Sequence, residues 1–248
     1  MARIETDDLA YEIGENGKNV LFECKKKKRN YCAKSAGFFA CIKKEGAYYN
    51  SSHVSQSGNI INIIFGDSGV KAVLKAVTHK NYFILEVVSV SSEDVQEFVF
   101  CDIQLTLKGS LDESFAACAL ALNLETDVTE IPGPAGRLKA VCYKRFGFAG
   151  AMVAVIGCPQ DKLRGIMKKI VQSCDELPHS PLGGPWALDA GINRGAYLFN
   201  FGGLTEETAD DWIKLTPRPG EGNFALEHGS RIVPARGIRW VKIRRNRT

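Results

Sequence analysis

From Tyr11 to Ile156 the chain repeats one grammar: short runs of alternating apolar and polar residues, cut at close intervals by turn residues. Runs of period two bury one face of a strand and leave the other in water. Many of them in succession predict an antiparallel β-sandwich or barrel. Tyr11 and Ile13 alternate with polar neighbours, Asn16-Gly17 supplies a hairpin turn, and Val20, Phe22 and Cys24 resume the alternation. Asn and Gly both tolerate the positive φ that a tight hairpin turn requires. The pattern continues through 38–42 and 60–65, turns at Asp67-Ser68-Gly69 into 70–77, and turns at His79-Lys80-Asn81 into 82–90.

Later segments keep this character with less regularity. Residues 95–107 carry Phe98, Phe100, Ile103, Leu105 and Leu107, enough for one or two core strands. The small apolar stretch 114–124 suits a short helix or a buried strand equally. Residues 131–136 are a Pro/Gly loop, and 138–145 and 149–156 read as the last two strands, so the predicted sandwich domain covers 1–158. After Pro159, Leu163, Ile166, Met167, Ile170 and Val171 fall at the i, i+3, i+4 spacing of an amphipathic helix within 160–174. A Pro/Gly-rich connector then completes the span 159–196. Residues 197–215 read as one strand and one helix, with Thr205 as cap and Glu206 and Glu207 in the first turn. A lone βα unit needs parallel neighbours for its strand and a sheet for its helix, so this unit reads as incomplete.

The remaining stretch, 216–248, shows no sustained period and reads as an irregular tail. It holds eight basic residues against Glu221 and Glu227, whereas 1–215 holds 24 basic and 26 acidic residues. The net charge of +4 therefore resides in the tail. That tail lacks interleaved aromatics or a helix with a basic face, so no nucleic-acid partner is expected, and the run Lys25 to Arg29 reads as a solvated loop. No apolar run reaches the roughly eighteen residues of a membrane-crossing helix, so no membrane span is expected. The acidic opening residues do not form a signal peptide, although a parent protein that is exported is compatible with the sequence.

Eight cysteines are scattered without a CxxC pair or paired Cys/His spacing, which predicts buried free thiols and no metal site. The four histidines, His53, His79, His179 and His228, are isolated from one another. No nucleophile elbow, P-loop, HExxH or dinucleotide motif occurs, so no cofactor is implied.

The combination Gly157-Cys158-Pro159, Leu177-Pro178, Gly183-Gly184-Pro185-Trp186 and the run from Gly195 to Glu207 resembles a group of large bacterial glycoside hydrolases. These join a galactose-mutarotase-like β-sandwich to a (β/α)8 barrel. The resemblance is most specific over 157–215 and only general over the sandwich. It implies that 197–201 is the first barrel strand and 205–215 the first barrel helix, and that carbohydrate is the partner. A barrel takes about 250 residues and draws its catalytic carboxylates from several strand ends. On this reading the chain is a fragment of a glycosidase lacking most of its barrel, truncated near Leu215 and ending in a non-native tail. No catalytic residue is assigned. Asn200 is a candidate to hydrogen-bond a sugar hydroxyl, and Tyr197 and Phe201 are candidates to stack on a pyranose ring. Two further readings stand beside it: a non-catalytic sandwich that binds carbohydrate or serves as a scaffold, and an interaction protein working through its basic tail.

Overall fold

A computed structural model of the chain describes residues 1–33, 37–109, 113–128 and 136–174, together with the short strands at 197–199 and 232–234. Chain contacts divide into two units, Met1–Pro178 and His179–Thr248. The first is mainly β, with strands β1 (Ala2–Glu5), β2 (Leu9–Ile13), β3 (Asn19–Cys24), β4 (Arg29–Asn30), β5 (Cys41–Lys44), β6 (Ala47–Asn50), β7 (His53–Ser57) and β8 (Ile60–Ile64). They are followed by β9 (Lys71–Thr78), β10 (Tyr82–Val90), β11 (Val95–Gln104), β12 (Phe115–Ala121), β13 (Thr126–Val128), β14 (Arg137–Tyr143) and β15 (Met152–Pro159). Helix α1 (Gln160–Gln172) follows the last strand directly.

These strands form three antiparallel sheets. Their orders are β1-β2-β3-β4, β12-β15-β10-β9-β8-β7 and β13-β14-β11-β5-β6. The four-stranded and five-stranded sheets are linked where Cys32 bridges Leu105, supported by Ala33 N–H donating to Gln104 O and Thr106 N–H to Tyr31 O. One core cluster holds residues from all three sheets, the arrangement of a sandwich. Alternation decides which side chains enter it: Ala72, Leu74 and Ala76 from β9, Phe83, Leu85 and Val87 from β10, Leu138, Ala140 and Cys142 from β14. Tyr11 stacks on Phe83 at 5.7 Å, and Leu9 lies so close to Gly157 that a Cβ there would meet its Cδ2 at 2.9 Å. Gly157 thus admits β2 onto the face of the six-stranded sheet.

The opposite face of that sheet is covered by α1. Ile166 and Ile170 are buried there with Ala154, Ile156 and Cys158. This double cover explains why 153–158 is a continuous buried run instead of an alternating one. The helix predicted at 160–174 is therefore present, and it packs on the sandwich that the sequence reading ends at residue 158.

Several local expectations change. The ambiguous stretch 114–124 forms an edge strand, Phe115–Ala121, paired to β15. Residues 95–107 give one long strand, with irregularities at Val95/Glu97 and Val99/Cys101. Val20, expected inside beside Phe22, is 49% exposed. Register shifts between Glu12, opposite Leu21, and Ile13, opposite Asn19, so Val20 is the extra residue of a bulge and Asn19 turns inward. Strands β1, β6, β7 and β13 have no counterpart in the sequence pattern. The loop at 131–136 lies outside the described residues except for Gly136, whose backbone pairs with Leu105 and Leu107. Within the second unit, β16 (Tyr197–Phe199) pairs antiparallel with β17 (Ile232–Pro234). The stretch 216–248 thus contains a strand where the sequence shows no period. The predicted helix at 205–215, with Glu206 and Glu207, and the connector at 175–196 lie outside the described residues.

Candidate functional site

Two surfaces of the first unit have the shape or chemistry of a site. One is a cavity of about 250 Å³ between β12, α1 and the ends of β11 and β14. Its walls include Leu105, Leu107, Phe115, Leu138, Leu163 and Met167, with Glu113 at one side. The Glu113 carboxylate accepts hydrogen bonds from the backbone N–H groups of Lys108 and Gly109 at 2.8 to 3.1 Å, so it is committed to holding its own loop. Such a space suits an apolar group and offers little to a polyol.

The other surface is the outer face of the five-stranded sheet, opposite the core. Cross-strand register builds it from residues far apart in sequence. Tyr48 on β6 faces Lys43 on β5, Lys43 faces Glu97 on β11, and Glu97 faces Tyr143 on β14. The neighbouring row runs Asn50, Cys41, Val99, Val141, Asp127. Strands lie about 4.8 Å apart, so the two tyrosines bracket Lys43 and Glu97 across roughly 14 Å. Val99 and Val141 on this face are buried although they belong to neither core cluster.

The electrostatics are mixed along the rows. Lys43 Nζ sits 5.5 Å from the Tyr48 ring centroid. Tyr143 Oη donates to Asp127 Oδ2 at 3.3 Å. Burial, then the nearby Asp127 and Glu97 carboxylates, push the Tyr143 phenol up from its ordinary value, against the pull of Arg145. Further along, Arg137 grips Asp102 through two hydrogen bonds, 2.7 Å from Nε and 2.6 Å from Nη2. Cys41, on the same face, has its thiol pushed up to about 11, first by burial and then by Asp102 and Glu97. A thiol in that range is not a nucleophile at neutral pH. Cys118 beside the cavity is likewise raised to about 11 by burial.

Beyond Tyr143 the chain makes a 3-10 turn over Lys144–Phe146. Gly147 ends it at φ +85°, a conformation other residues avoid, and its N–H donates to Lys144 O at 3.0 Å. The turn exposes Phe146 and lays Arg145 over two rings, 4.5 Å from the Phe146 centroid and 5.7 Å from that of Tyr143. Gln96, left over by the irregularity between Val95 and Glu97, is exposed and lines the same shallow groove with Tyr143, Lys144 and Arg145.

The candidates named from sequence lie elsewhere. Tyr197 is in β16, its Cα opposite that of Pro234, whereas Asn200 and Phe201 fall outside the described residues. His79 stacks on Tyr82 at 4.4 Å, and His53 lies 3.8 Å from Glu15. All eight cysteines are free thiols. Among the described residues no group of three or more His, Cys, Asp or Glu side chains is placed to hold a metal ion. No described helix is long and apolar enough to cross a membrane.

The row Tyr48, Lys43, Glu97, Tyr143 was invisible in the sequence. Its only local trace is an aromatic next to a base, as in Tyr143-Lys144-Arg145-Phe146. Comparison with family models, with curated proteins and with solved structures finds no match to this chain.

Proposed function

We propose that the β-sandwich is a non-catalytic carbohydrate-binding module, and that the outer face of its five-stranded sheet holds the sugar. The observation that carries this reading is the row in which Tyr48 and Tyr143 bracket Lys43 and Glu97. Aromatic rings offer apolar faces to the C–H side of a pyranose, and ionic side chains between them can donate to and accept from its hydroxyls. The likeness of 157–215 to bacterial glycoside hydrolases supports carbohydrate as the ligand class. Glycosidases need two carboxyl groups flanking the scissile bond, with different protonation states. On this face Asp127 accepts from Tyr143 and Asp102 is gripped by Arg137, so both are engaged in holding neighbours.

The test is a titration of the whole chain with a panel of oligosaccharides, followed by calorimetry or chemical-shift mapping. Saturable binding is expected, weakened about tenfold by Tyr48→Ala and by Tyr143→Ala, a loss of about 1.4 kcal/mol each. Binding that survives both substitutions unchanged overturns the assignment to this face. Turnover of aryl glycosides by the same chain overturns its non-catalytic character.

A further inference from the structure

At the Tyr143 end of this face an arginine lies over two aromatic rings and pairs with no anion among the described residues. Arg145 makes no hydrogen bond or ion pair with any described residue, and it lies over two rings on the turn that Gly147 closes. Arg137, by contrast, spends its guanidinium on Asp102. A cation over an exposed ring gains about 0.5–1 kcal/mol, enough to bias the side chain while leaving its N–H donors to the solvent. Lys144 is exposed beside it, and the Gln96 amide lines the same groove. Asp127 and Glu97 are the carboxylates of the rows themselves, and Glu93 and Asp94 are exposed just before Gln96 at the start of β11. Asp127 accepts from the Tyr143 hydroxyl, and Glu97 lies cross-strand from Lys43.

We infer that the Arg145 guanidinium receives the anionic group of an acidic saccharide whose ring lies along the Tyr143 end of the face. This rests on the carbohydrate reading above and specifies the sugar: a unit carrying a carboxylate or a sulfate ester. The guanidinium matches either group with two parallel N–H donors, a geometry that a lysine ammonium cannot reproduce. The guanidinium carbon stands 4.5 Å from the Phe146 centroid and 5.7 Å from that of Tyr143 before the ligand arrives.

The experiment titrates the full chain, at one fixed ionic strength, with an oligogalacturonate, a sulfated galactan oligomer, the matched neutral oligogalactan and a single-stranded oligothymidylate. The expected result is a preference of about tenfold or more for one of the two acidic sugars over the neutral one. The stronger of the two identifies whether the anion is carboxylate or sulfate. Arg145→Gln should erase that preference while leaving the neutral affinity as it was, and Arg145→Lys should restore only part of it. Arg145 is exposed, so an unchanged circular dichroism spectrum is expected for both variants. Equal affinity for acidic and neutral sugars overturns the inference and leaves the carbohydrate reading standing. Absence of binding to any sugar overturns both. An oligothymidylate that binds more tightly than every sugar, with the same dependence on Arg145, overturns the choice of a saccharide.

Discussion

Asn19 shows how much one inward polar residue can hold. Its Oδ1 accepts from the Tyr11 hydroxyl at 2.5 Å, and its Nδ2 donates to Gly37 O at 3.0 Å and Asp102 O at 2.8 Å. The residue thereby ties β2, the approach to β5 and β11 to one buried point, and Tyr11 is fully buried above it. Asn19→Ala leaves the phenol and two carbonyls short of partners, which should lower stability by about 2–3 kcal/mol in urea unfolding, whereas Val20→Thr on the exposed bulge should change it by less than about 0.5 kcal/mol. The thiols give a second expectation, in pH. Burial pushes Cys41 and Cys118 up to about 11 and Cys158 to about 12 from an ordinary 9.0. Below pH 9 these thiols are neutral both folded and unfolded, so they do not make stability depend on pH. Above it the unfolded chain releases protons that the folded chain retains. The urea midpoint should therefore hold level to pH 9 and fall between pH 9 and 11, and alkylation of these thiols at neutral pH should be slow in the native state and fast in denaturant.

At the scale of elements, α1 is the part most plainly legible in sequence and the part least well assigned to a neighbour. The spacing of Leu163, Ile166, Met167 and Ile170 locates the helix, because apolar residues at a 3.6-residue period line up on one face only when the backbone is helical. It does not say which surface the stripe covers, and that surface is the outer side of β12 and β15. Gly165 sits on the exposed face of this helix with open space where a Cβ would go. Gly165→Ala should raise stability by about 0.5–1 kcal/mol, read as a rise in thermal midpoint. The central strands were legible for a similar reason, since residues such as Leu74, Leu85 and Leu138 alternate with half-buried neighbours. Strands β6, β7 and β13 escaped because each buries at most one side chain. That leaves too little alternation to register, as Ala47–Asn50 shows with three exposed positions and one half-buried.

For the whole molecule, the candidate site was hidden by topology. Lys43, Glu97 and Tyr143 become neighbours only when β5, β11 and β14 are laid side by side, and no local pattern encodes that order. The sequence therefore directed attention to Tyr197, Asn200 and Phe201, which stand close together in one short run. The division at Pro178 yields an expectation for the chain itself: a polypeptide of residues 1–178 should unfold in a single cooperative transition, because the core clusters and the covering helix all lie within it. Non-coincident transitions by fluorescence and circular dichroism would count against that boundary.

The same strand order has a kinetic side. β11 closes on β5 across about fifty intervening residues and on β14 across more than thirty. Each closure costs chain entropy before any contact repays it. Folding on the order of milliseconds to seconds follows, and β5 has no central partner until β11 exists. During synthesis β5 emerges long before residue 95, so the short, charged Cys41–Lys44 segment limits wrong pairings in that interval.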